Sequence, residues 1–306
     1  MAVQIMKPGS EPKPSKKGDY IVIFFIVCAF IVSIVFGIKG LTEYKDIADM
    51  QFTWKKIQTL ALGDEEETSQ EETPQEETYV QETTDGTKTE ISVTKTEDLL
   101  FQHVNLKALT DINADVNGYI VVPNTKISYP ILKENKTGEY FYMRHNMNKE
   151  YDVYGSIFEL SDAERGLPEL DNPITWIFGH HMSSGDMFTG LYAYKEESFK
   201  DNPIYVYRED MRVEYMVVAA IETNKYDKLY KFNVYERNSD EYAEVIKYAI
   251  SKSMYDTGRT LTNKDDMLIL STCNGSAGTS QRFILVCKKV RTAVIQDKYT
   301  TTEHGD

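Results

Sequence analysis

Met267-Leu268-Ile269-Leu270-Ser271-Thr272-Cys273 is followed, after a loop holding Asn274-Gly275-Ser276-Ala277-Gly278, by Arg282-Phe283-Ile284-Leu285-Val286-Cys287. Two short apolar runs bounded by a glycine-rich loop predict paired strands. Joined as a hairpin, they set Cys273 and Arg282 facing each other across its mouth. Alternation then separates the two cysteines. Arg282, Ile284 and Val286 share one strand face, and Phe283, Leu285 and Cys287 share the other. If Arg282 points to a groove, Cys287 points away and reads as a small buried apolar side chain. Cys273 stands where a strand end meets a loop, which fixes position and gives access, as a nucleophile requires. Taken alone, it reads equally well as a structural cysteine.

Working outward, more strand-like runs precede this hairpin: Asn117 to Val122, Ile127 to Leu132, Gly155 to Glu159, Thr175 to Phe178, Ile204 to Tyr207 and Val213 to Glu222. Each is rich in β-branched and aromatic residues and bounded by Gly, Pro, Asn or Asp. About eight short strands predict a mainly β domain with helices, closed as an eight-stranded barrel. A short amphipathic helix is expected around Leu99 to Leu109. A second spans Ser239 to Ser253, where Ser239 or Asp240 can cap and Tyr242, Val245, Ile246 and Ala249 form one face.

The N-terminal third has a different texture. Tyr20 to Ile38 passes without a charge, a length of about 28 Å as a helix, close to one hydrocarbon thickness. No small-residue cleavage pattern follows, so an uncleaved single-pass anchor over 20–38 is expected. Lys7, Lys13, Lys16 and Lys17 precede it and favour a cytoplasmic tail over 1–19, against a weaker opposing bias from Lys39 and Lys45. The remainder then lies outside the cell: a juxtamembrane helix over 39–63, a spacer over 64–98 and a catalytic domain over 99–306. The spacer holds thirteen acidic and two basic residues and is expected to be disordered and self-repelling. The net charge of −14 gives no basic footprint, so a nucleic-acid partner is not expected. Three cysteines with no metal-type spacing exclude a disulfide scaffold and the tetrahedral zinc patterns.

Histidines occur together in Phe178-Gly179-His180-His181-Met182. With Met187-Phe188 following, this stretch resembles the histidine motif of class B sortases, membrane-tethered cysteine transpeptidases of Gram-positive bacteria. Leu270-Ser271-Thr272-Cys273 with Arg282-Phe283 resembles the sortase active-site signature. Asn117-Gly118-Tyr119-Ile120, Thr125-Lys126-Ile127-Ser128-Tyr129-Pro130 and Gly155-Ser156-Ile157-Phe158 also match, in the family's order. The resemblance covers about residues 99 to 292, and the helix before the cysteine strand matches a class B insertion. Two departures stand out. Tyr119 replaces the family's usual Trp, and residues 274–281 hold no carboxylate, which favours a Cys–His–Arg site over Cys–His–Asp.

The resemblance implies Cys273 as nucleophile, His180 as acid/base and Arg282 as electrostatic stabiliser, with neither metal nor cofactor. His181 is the adjacent alternative, but the histidine directly after the glycine is the catalytic one in the motif. Ser271 and Thr272 are candidates for lining the substrate groove, strand packing being the other reading. Met143 occupies a position where class B relatives often have Leu near that groove. The implied partners are surface proteins bearing a C-terminal sorting signal, a peptidoglycan precursor amine, and membrane lipid through the anchor. A pilin-polymerising sortase is the alternative within the family, and a catalytically inactive tethered β-barrel binding module is the alternative outside it.

Overall fold

The computed structural model describes residues 16–63, 76–82, 88–94, 104–133, 140–159, 173–208, 211–232, 236–273 and 279–294. Two compact units divide the chain, residues 1–53 and residues 54–306. One continuous helix, α1 (Lys16–Leu62), takes in both the expected anchor and the expected juxtamembrane helix. Among the described residues no helix is long and apolar enough to cross a membrane. The helix stops at Gly63, whose φ of 77° is the left-handed conformation that closes a helix C-terminus, and its N–H bonds back to the Thr59 carbonyl.

The last turns of α1 belong to the second unit, ahead of the boundary expected at residue 99. Trp54, Ile57 and Ala61 are buried there. Gln58 donates to the Ser128 carbonyl at 2.7 Å, and the Trp54 ring meets Tyr129 edge-on at 5.4 Å. Replacing a buried tryptophan by alanine typically costs about 3–5 kcal/mol through lost transfer energy and the cavity left behind. Trp54→Ala is therefore expected to lower the unfolding free energy of the second unit by that scale, read from the shift of its denaturant midpoint. Exposed Phe52 serves as the control, with Phe52→Ala within about 0.5 kcal/mol of wild type.

Part of the acidic segment expected to be disordered is paired instead. Strands β1 (Glu76–Glu82) and β2 (Lys88–Thr94) form a two-stranded antiparallel sheet that sets Tyr79 opposite Ile91 and Glu82 opposite Lys88. Composition over the whole segment hides this local run of Thr, Tyr, Val and Ile, which favours strand. The other residues of 64–98 lie outside those described. The first expected helix is shorter than its apolar pattern. Helix α2 (Leu106–Ile112) starts where the Asn105 side chain accepts from the Ala108 N–H, and residues 99–103 are outside the described set.

The expected eight-stranded barrel is present and closed. Its strands are β3 (Val116–Val121), β4 (Ser128–Leu132), β5 (Phe158–Glu159), β6 (Ile174–Phe178), β7 (Ile204–Arg208), β8 (Met211–Asn224), β9 (Met267–Cys273) and β10 (Gln281–Val294). They close in the order β10-β8-β7-β3-β4-β5-β6-β9. Two neighbouring pairs, β4–β5 and β6–β9, run parallel; the other pairs run antiparallel. Tyr119 is fully buried, and its hydroxyl lies 2.9 Å from Ser128 Oγ, a partner that a buried phenol needs.

Helix α3 (Asp240–Ser251) begins at Ser239, whose Oγ accepts from the Tyr242 N–H, and buries the expected face of Tyr242, Val245, Ile246 and Ala249. That face packs on Met267, Ile269, Ile284 and Val286. A helix packs on the outer wall of a filled eight-stranded barrel, so these four residues mark the outward face of β9 and β10. Continued to the strand ends, the same face carries Ser271, Cys273 and Arg282.

Candidate active site

Antiparallel register makes Cys273 and Arg282 direct partners, as the hairpin reading required. On the other side of β9, β6 runs parallel, with Phe178 opposite Ser271. Parallel strands end on the same side of a sheet, so the chain leaving β6 places His180 beside the end of β9. The Gly179 N–H donates to the Ser271 carbonyl at 3.2 Å and holds that exit in place. A side chain at residue 179 would put its Cβ 2.4 Å from Ile157 and 2.6 Å from the Phe188 ring, so only glycine allows this approach. Cys273 thus ends β9 opposite Arg282, its register partner on β10, and next to the strand whose chain leads on to His180.

His180 is mostly buried. Its Nε2 lies 2.8 Å from the Met143 carbonyl oxygen, in the turn 141–143. Burial is the largest influence on the ring and holds its pKa below the ordinary histidine value. The Met143 carbonyl and Asp152 oppose the shift, whereas Arg144 and Arg282 add to it. A depressed value keeps the imidazole neutral down to a lower pH than a free histidine. The acid limb of kcat/KM, where it reports this ring, is therefore expected below pH 6.5. Arg144→Ala removes a cation that disfavours the charged ring, so it should move that limb upward.

Arg282 is pinned along one side. Its Nη1 donates to the carbonyls of Thr279, at 2.9 Å, and Gln281, at 2.8 Å. Nε and Nη2 make no hydrogen bond among the described residues. Two donors of a fixed planar fork are therefore available beside Cys273.

The remaining candidates divide by strand parity. Ser271 shares the outward face, and its Oγ lies 2.7 Å from the Tyr230 hydroxyl. Burial pushes the Tyr230 phenol up to about 12. Its ring stacks on Trp176 at 5.2 Å, forming an aromatic wall that continues through Phe178 to Phe158. Thr272, 2% exposed like Ser271, sits on the opposite face of β9, with Leu270. Cys287 is fully buried on that inner side, and burial raises its thiol pKa, which suppresses the thiolate. Met143 reaches the site through its backbone carbonyl on His180.

Two residues at the site had no signal in the sequence. Tyr192 donates its hydroxyl to the Cys273 carbonyl at 2.9 Å, and Tyr230 bonds Ser271. His181 stacks on Tyr192 with ring centroids 4.4 Å apart. Among the described residues, no group of three or more His, Cys, Asp or Glu is placed to hold a metal ion.

A partly exposed cysteine at the end of a barrel strand, paired in register with an arginine and beside a strand that leads to a histidine, has the side chains that cysteine-based acyl transfer uses. The sortase domain family matches residues 120–290, more than half of the chain. Sortase B of Listeria monocytogenes is 29% identical over 172 residues, covering 55% of this chain and 67% of that protein. The crystal structure of Clostridium perfringens sortase B is 29% identical, with a TM-score of 0.55, and covers 61% of this chain and 100% of that one. A Staphylococcus aureus sortase B–substrate complex is 25% identical, with a TM-score of 0.52, over 60% of this chain and 84% of that one. The chain belongs to the sortase family. It is a cysteine transpeptidase of the sortase B kind.

Proposed function

We propose that this sortase cleaves a C-terminal sorting signal of surface proteins through a thioacyl intermediate on Cys273 and passes the acyl group to an amine of a peptidoglycan precursor. The observation that supports this reading is the pairing of Cys273 with Arg282 at the end of β9, beside the parallel strand that leads to His180. His180, neutral at rest, takes the thiol proton, and Sγ attacks the carbonyl carbon of the scissile peptide bond. The free edge of Arg282 binds the carbonyl oxygen as it gains negative charge. His180 then gives its proton to the departing amine, leaving a thioester on Cys273. The incoming amine attacks that thioester, its proton passes to His180, and the thiolate leaves and is reprotonated. One amide bond is exchanged for another, so binding and proton transfer suffice.

The same reading places the enzyme in the cell membrane as a single-pass protein, with a cytoplasmic N-terminus and the catalytic domain outside. Phe30, Val35, Phe36 and Ile38 stand exposed on α1, apolar surface that a helix in water does not keep uncovered. The spacer 64–98 holds the domain away from the bilayer.

The test is incubation of the full chain, in detergent, with a library of sorting-signal peptides and a peptidoglycan-type amine. Mass spectrometry should detect a Cys273 thioacyl adduct and a peptide–amine product. A product that forms without that adduct overturns the mechanism. Protease added to intact protoplasts should remove the catalytic domain; full protection overturns the topology.

A further inference from the structure

Gly155-Ser156 belongs to a matched motif, yet neither residue has a part in the chemistry above. Their surroundings give them one. Four successive carbonyls run from Tyr142 to His145. The Tyr142 carbonyl accepts from the Ser156 N–H at 2.9 Å, the Arg144 carbonyl from the Asp152 N–H at 2.8 Å, and the His145 carbonyl from Ser156 Oγ at 2.9 Å. The fourth, Met143, is left facing His180 Nε2 at 2.8 Å. Ser156 is fully buried, and so is the Tyr142 side chain, whose hydroxyl donates to Asp115 and accepts from Asn113.

Gly155 completes the arrangement by what it lacks. Its φ of 53° is in the left-handed region, and a Cβ there would lie 2.5 Å from the Met143 oxygen and 2.7 Å from the Tyr142 oxygen. Any larger residue would displace the carbonyl that meets the imidazole. A carbonyl oxygen only accepts, so Nε2 carries the proton and the lone pair of the neutral ring is at Nδ1.

We propose that Gly155 and Ser156 are positioning residues for transpeptidation: they fix the Met143 carbonyl so that His180 is held as its Nε2–H tautomer, leaving Nδ1 to exchange protons with Cys273 and the amines. This rests on the reading of His180 as the proton-transfer group. The charged groups that bear on the ring are Arg144 and Asp152 from the turn beside it and Arg282 from β10. None of them bonds a ring nitrogen, so the tautomer is set by the carbonyl.

The experiment is the nitrogen-15 spectrum of the full chain labelled at histidine, with the His180 signals assigned by their loss in His180→Gln. Above the titration of the ring, wild type should show a protonated Nε2 and an unprotonated Nδ1. Gly155→Ala should give a mixture of tautomers and a kcat lower by about 100-fold, the scale of a displacement near 1 Å at a reacting group. KM should change little. Ser156→Ala leaves the backbone conformation allowed and removes only the bond to His145, so it decides the matter if Gly155→Ala fails to fold. It should show a smaller shift in the same direction. An Nδ1–H tautomer in wild type, or unchanged tautomer and kcat in the folded variants, overturns the proposal. The parent reading fails differently: His180→Gln would then retain transpeptidation whatever the tautomer of wild type.

Discussion

Cys273→Ala is expected to abolish thioacyl formation and to lower transpeptidation by roughly 10⁶-fold, the scale seen when a covalent enzyme loses its nucleophile. No second thiol can substitute for it. Cys287 is fully buried on the inner face of β10, and Cys28 belongs to the other compact unit. Cys287→Ala should leave kcat/KM essentially unchanged, at a stability cost of about 1 kcal/mol for the lost packing. Among the histidines, His180→Ala should be nearly as severe as loss of the thiol. His181→Ala should keep substantial activity, because the motif assigns the proton transfers to the histidine directly after Gly179, and the His181 ring stacks on Tyr192. Peptide turnover and adduct mass for these variants on one substrate are the measurements. An active Cys273→Ala beside a dead Cys287→Ala would overturn both the strand parity and the assignment.

Strand parity also makes the candidate site legible in the sequence. A strand has a period of two, so the sequence alone separates Cys273 and Arg282 from Cys287, and the hairpin register follows from the loop between the strands. The same rule, carried one step further, puts Thr272 and Ser271 on opposite faces of the strand. The barrel was legible because each strand is short, β-branched and sharply bounded. What the sequence left dark is of two kinds. Partners such as Tyr192 and Tyr230 meet the site through space, from segments far along the chain, with no spacing to announce them. The Met143 contact uses a backbone carbonyl, which every residue carries, so residue identity says nothing of it. The acidic stretch over 64–98 reads as a divider, while Trp54, Ile57 and Ala61 ahead of it are buried within the same compact unit as the barrel.

Arg282→Lys is expected to cut kcat/KM by roughly 100- to 1,000-fold, the usual effect of losing one preorganised donor to a developing oxyanion. The substitution keeps the charge, so a site that needs only a cation would tolerate it. The arginine differs from a lysine in how it is held. Nη1 is committed to the Thr279 and Gln281 carbonyls, and that commitment aims the remaining edge of the guanidinium. A lysine ammonium has three donors on one flexible atom and cannot be tethered through one nitrogen while presenting another. It would either bond those carbonyls and turn from the substrate, or point at the substrate without support. Because the oxyanion exists only as the bond breaks, the loss should fall mainly on kcat, with KM rising little. The acid limb should shift too, since Arg282 is one of the cations that lower the His180 pKa, and a mobile ammonium would press on the ring less. The limb is expected to move upward. A kcat within threefold of wild type would mean that charge alone serves at this position, and the planar edge would then have no part in stabilising the transition state.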